Sequence, residues 1–76
     1  MNNKIKNFQD VWEEAEEIAP TNANLPKMIK LLKESNSPEN MGELLFLLSG
    51  ISKSFNIDVW QQLEKAIENY KVENYG

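Results

Sequence analysis

The stretch Pro38-Glu39-Asn40-Met41-Gly42-Glu43-Leu44-Leu45-Phe46-Leu47-Leu48-Ser49-Gly50-Ile51-Ser52-Lys53-Ser54 decides the fold. Ser37 before it reads as an N-cap and Pro38 as the first helical residue, where a missing N–H costs nothing. Met41, Leu44, Leu45, Phe46, Leu47, Leu48 and Ile51 then point almost all the way round the helix. A helix apolar on nearly every side belongs at the centre of a domain. The sector that remains holds Gly42, Ser49 and Gly50, small residues that would let a neighbour approach closely. Each glycine costs about 1 kcal/mol of helix propensity relative to alanine, so a packing reason is expected.

Working outward, three amphipathic segments surround this centre. Ile5, Phe8, Trp12, Ala15 and Ala19 recur at spacings of three and four, so a first helix is expected over 5–19, stopped by Pro20. Asp10 with Glu13 also reads as a capping box opening a shorter helix. Thr21-Asn22-Ala23-Asn24 is a linker rich in capping residues. Beyond it Leu25, Met28, Ile29 and Leu32 trace a second apolar stripe, with Lys27, Lys30 and Lys33 opposite. After the central helix, Asn56-Ile57-Asp58 forms a turn, and Asp58 with Gln61 caps a fourth helix. Its apolar face is Val59, Leu63, Ala66, Ile67 and Tyr70, and its tail from Glu73 to Gly76 is expected to fray. Asp10-Val11-Trp12-Glu13 echoes Asp58-Val59-Trp60-Gln61, and both tryptophans read as anchors at the core edge.

Four helices joined by short loops in one domain over 1–76 predict an all-α fold, a small antiparallel four-helix bundle. A 76-residue chain buries only about 60% of the surface its unfolded form exposes, so its core is thin. Three neighbours do not easily cover so apolar a central helix, and a homodimer is expected to supply the rest.

Composition narrows the function. Twelve acids against eight lysines, without arginine or histidine, give a net charge of -4. Nucleic acid is thus not the expected partner, since phosphate recognition calls for clustered cations and commonly for arginine. A basic protein partner, a divalent cation or simple solubility suits this balance better. With neither cysteine nor histidine, thiol and imidazole chemistry are excluded, and a metal would have to be a hard cation held by carboxylates. The longest apolar run, Leu44 to Leu48, is too short to cross a membrane, and no apolar signal segment is evident near the start. A cytoplasmic location is the expectation.

Two acidic groups carry the candidate chemistry: Glu13-Glu14-Ala15-Glu16-Glu17, and Glu39-Asn40-Met41-Gly42-Glu43-Leu44-Leu45 about two dozen residues later. This order resembles the MazG-type all-α nucleoside triphosphate pyrophosphohydrolases, whose signature is Glu-Glu-x-x-Glu followed by Glu-x-x-Asp. The resemblance runs from about Glu13 to Lys71 and includes the turn at Ser52-Lys53-Ser54-Phe55-Asn56-Ile57-Asp58. It implies a magnesium ion held by Glu14, Glu17 and Glu43, with Asn40 in the fourth position where that family has an acid. Glu43 likewise replaces a shorter Asp. Glu14 and Glu17 fall opposite Phe8, Trp12 and Ala15, on the solvent side of their helix, whereas ligands must face another helix. With the active site incomplete, no catalytic residue and no cofactor are assigned outside that resemblance. The reading favoured by elimination is a small acidic interaction or regulatory module, such as an inhibitor or immunity-type protein, binding its partner through Asp10, Glu13, Glu14 and Glu17. The alternatives are a divergent magnesium-dependent pyrophosphohydrolase and a catalytically dead relative reused for binding.

Overall fold

The computed structural model describes residues 7–75, all of whose regular structure is helical. Four helices follow in order: α1 (Phe8–Ile18), α2 (Leu25–Lys33), α3 (Pro38–Ser54) and α4 (Val59–Tyr75). The fold is all-α, with the four helices expected from periodicity.

Each start has a local cause. Asn7 caps α1 by accepting the Asp10 backbone N–H at 2.8 Å. Asp10 is therefore the third helical residue and not a cap, and Ile5, expected in the first turn, lies outside the described residues. The echo with Asp58 is broken by the same fact: Asp58 does cap, accepting the Gln61 N–H at 3.2 Å, so the two tryptophans stand at different depths in their helices. Asn24 caps α2 by accepting the Lys27 N–H at 3.2 Å, and Ser37 caps α3 as its sequence position predicts. Here a short residue before a helix does the same work four times, satisfying one of the donors that the first turn leaves free.

The end of α3 is equally specific. The Ile57 N–H donates to the Ser52 carbonyl at 3.0 Å and the Asn56 N–H to that of Lys53 at 3.1 Å, with Asn56 at φ 55°. These two bonds and one left-handed residue make a Schellman motif, with asparagine where glycine is commoner. It turns the chain sharply enough for Asp58 to open α4 two residues later.

As its all-round apolar sequence predicts, α3 is the centre: α1 and α2 both pack on it, and it carries Leu44, Leu47, Ser49, Gly50 and Ser52 in buried positions. Ser49 is fully buried, its hydroxyl donating to the Phe46 carbonyl at 2.6 Å. Gly50 lies under the end of α1. A Cβ there would sit 1.9 Å from the Pro20 carbonyl oxygen, so only glycine permits the approach. Gly42 has no such role, because a Cβ there meets nothing within 4 Å.

Against α3, the second helix buries Leu31, with Met28 half-buried beside it. The stripe read from sequence is displaced here. Leu25, Ile29 and Leu32 form an exposed ridge, and Leu31, one position off that stripe, is the core residue. Asn24 caps α2 at one end and the tight Glu34–Ser37 connection joins it to α3 at the other, and between these ends Leu31 points inward.

The fourth helix stands apart. Its start meets the rest of the molecule, where Trp60 packs edge-on against Phe8 with ring centroids 5.5 Å apart, Phe8 in turn lies 5.9 Å from Trp12, and Leu63 lines a hollow with Phe8, Trp12 and Leu45. None of its residues is buried. Fraying from Glu73 is not observed, and α4 runs to Tyr75. Two local interactions hold its end: the Asn74 side-chain amide donates to the Tyr70 carbonyl at 2.9 Å, and the Tyr70 and Tyr75 rings meet at 6.3 Å.

Candidate functional site

Four carboxylates on α1 were expected to make a partner surface, and the helix places them together. Asp10, Glu13, Glu14 and Glu17 are all exposed and fall on the side away from Trp12. Val11 and Ile18, also exposed, run along one border of this row. Phe8 and Trp12 fix the rotation of α1 by facing inward, so the acids face out as a matter of helical period.

Glu16, between them in sequence, behaves differently. It turns inward, where its Oε2 accepts the Trp12 indole N–H at 3.1 Å and lies 3.4 Å from the Ser52 hydroxyl on α3. The Ser52 hydrogen has a nearer acceptor in the Ser49 carbonyl at 2.9 Å. A carboxylate in this position ties the indole to its own helix and faces the seam between α1 and α3. Trp12 four residues before Glu16 is the only sequence signal for it.

The residues that the pyrophosphohydrolase resemblance implies as metal ligands are not assembled. Glu43 forms an ion pair with Lys27 of α2 at 2.7 Å, both side chains half-exposed. Glu14 and Glu17 project from the outer side of α1. Among the described residues no three acidic side chains come close enough to hold a metal ion. Asn40 is occupied structurally: its side-chain amide donates to the Glu34 carbonyl at 3.1 Å and reaches the Glu34 carboxylate at 3.5 Å. That bond clips the end of α2 to the start of α3. An aspartate could not make it, having no donor to offer.

Glu39, at the start of α3, holds its proton less tightly than a free glutamate. Its carboxylate accepts hydrogen bonds from its own backbone N–H and, at 2.9 Å, from the Ser37 hydroxyl, and both hold its pKa below the usual glutamate value. The group is fully exposed and caps the first turn of α3, so the shift belongs to helix initiation and not to a reaction centre.

The hollows differ in character: an open one beside the start of α2 includes Asn22, Asn24 and Lys27, one along α4 is lined by Gln61, Glu64, Lys65, Glu68 and Asn69, and the two between α1 and α3 are apolar. These two adjoining hollows, of about 270 and 230 Å³, lie between α1, α3 and the start of α4. Gly42 and Leu45 form the floor of this groove, with Phe8, Trp12 and Trp60 at its walls. No acid, lysine or hydroxyl lines either hollow.

No protein-family model, curated protein or solved structure matches the chain. The class the fold defines is a small all-α protein with an acidic outer face and apolar helix faces left uncovered. Among the described residues no helix is long and apolar enough to cross a membrane.

Proposed function

We propose that this chain is a non-catalytic interaction module, an acidic helical homodimer that acts by binding another protein, as inhibitors, immunity-type proteins and other regulators do. The observation that supports the reading is that the acids of α1 and α3 stand outside the sheltered groove between α1, α3 and α4. Catalysis needs acids, bases or nucleophiles converging on a sheltered reacting atom. Here the groove between α1, α3 and α4 is lined by apolar residues alone, while Glu13, Glu14 and Glu17 stand on an outer helix face and Glu43 pairs with Lys27.

The candidate partner surface is Asp10, Glu13, Glu14 and Glu17, bordered by Val11 and Ile18. One sign of charge beside exposed apolar side chains suits a basic partner, with the carboxylates steering encounter and the apolar border supplying buried area. The test begins with capture and identification of a partner by mass spectrometry, followed by affinity measurements with the purified pair. Reversal of two charges, Glu13→Lys with Glu17→Lys, is expected to weaken binding roughly tenfold or more and to slow association most at low salt. Unchanged affinity would remove this surface.

The pyrophosphohydrolase alternative is supported by the order of its acid motifs alone. Magnesium-dependent release of pyrophosphate from a nucleoside triphosphate, lost in both Glu17→Ala and Glu43→Ala, would overturn the non-catalytic reading.

A further inference from the structure

We infer that α4 is the homodimer contact, each copy laying the Leu63–Ile67–Tyr70 stripe of α4 antiparallel against the same stripe of a second copy. This rests on the homodimer in the proposed function and is independent of the α1 partner face.

The first observation is the exposure of the stripe. Leu63, Ile67 and Tyr70 recur at spacings of four and three, so they share one face, and they are 54%, 48% and 59% exposed. Ala66 falls between them and is exposed as well. Trp60, which would continue the same row, is held against Phe8, so the uncovered part starts at Leu63.

The second observation is area. The chain exposes 6310 Å², whereas a compact monomer of 8.8 kDa exposes about 4,800 Å², which leaves about 1,500 Å² in excess. A standard protein interface removes about 800 Å² from each partner, which is less than this whole-chain excess.

The third observation, charge, selects a second copy as the occupant. Glu64 and Lys71 lie seven residues apart along one border of the stripe, two helical turns with opposite signs at the ends. Antiparallel pairing about a two-fold axis near Ile67 and Glu68 sets Glu64 of each copy against Lys71 of the other, packs Ile67 on Ile67 and brings Leu63 towards Tyr70. The surface is thus complementary to itself, which is what an isologous contact requires. The exposed ridge of α2, Leu25, Ile29 and Leu32, has no such pair of opposite charges along its border: Lys33 lies beside it, while Lys27 and Lys30 lie on the other side of the helix.

The experiment is sedimentation equilibrium of the purified chain across the micromolar range. Wild type is expected to show a reversible monomer–dimer equilibrium and Ile67→Glu to remain monomeric, with the helical circular dichroism of wild type diluted to monomer because Ile67 faces solvent in the single chain. Glu64→Lys and Lys71→Glu are each expected to weaken self-association roughly tenfold, since both symmetric pairs become repulsive. Mixed together, these two variants are expected to form a heterodimer in preference to either homodimer. Monomeric wild type, a persistent dimer in Ile67→Glu, or no preference in the mixture would each overturn the inference.

Discussion

Gly42 and Gly50 share one helix eight residues apart, yet only one of them is structurally required. At Gly50 an added Cβ meets backbone, the Pro20 carbonyl at 1.9 Å, and backbone yields only if α1 moves away from α3. Gly50→Ala is therefore expected to destabilise the chain by about 2 kcal/mol or more, despite the better helix propensity of alanine. Gly42→Ala meets open space and should raise stability by up to about 1 kcal/mol. Urea denaturation of the two variants checks the pair, and equal effects would mean that the crossing of α1 and α3 is not set at Gly50. The sequence marks both glycines as small residues in an apolar helix, but which of them another backbone approaches depends on how α1 crosses α3. Asn40 gives a second test at this scale. Asn40→Asp removes the donor to the Glu34 carbonyl and brings a second carboxylate towards Glu34, a loss of about 1 kcal/mol that exceeds the few tenths an acid gains at a helix start. An unchanged or higher denaturation midpoint would contradict that assignment.

At the scale of helices, starts and stops are legible because capping is local chemistry. Ser37, Asp58 and the proline stop after α1 follow directly from residue type, and Asn56 continues the pattern as a left-handed asparagine closing α3. What periodicity leaves open is rotation. On α2 it identifies Leu25, Met28, Ile29 and Leu32 as one stripe, while the helix as positioned turns Leu31 into the core and leaves three of those four exposed. The angular difference is about one residue, 100° of helix.

The start of α3 also has a pH signature. Glu39 has a lowered pKa when folded, so its contribution is fully present above the unfolded value near 4.5 and is lost as pH falls through the lowered folded value. Wild type is thus expected to exceed Glu39→Gln in stability at neutral pH, with the difference shrinking as pH falls below that range. Melting temperatures of both proteins across the acid range measure this, and a difference that does not change with pH would remove the role given to the Ser37 and backbone hydrogen bonds.

For the whole molecule, composition and helix patterning point to an all-α domain and to acids grouped on one face. They do not reveal whether the acids of α1 and α3 meet. That depends on α1 facing α3 with Trp12 and Glu16, which sends Glu14 and Glu17 outward, and on Lys27 of α2 taking Glu43. Nor is the position of α4 legible, since its apolar stripe would look the same in sequence whether covered by its own chain or by another. The radius of gyration of 14.6 Å, against about 11 Å for a compact chain of this length, agrees with an element that the rest of the molecule does not cover.

A helix of 17 residues supported mainly at its start is marginal in water on its own, and a second copy would change that. Amide hydrogen exchange in α4, followed as the protein is diluted, reads this directly. Slow exchange from Leu63 to Lys71 at high concentration that becomes fast on dilution, while the amides of Leu44 and Leu47 in α3 stay protected, is the result the proposed dimer predicts. Protection in α4 independent of concentration would contradict it.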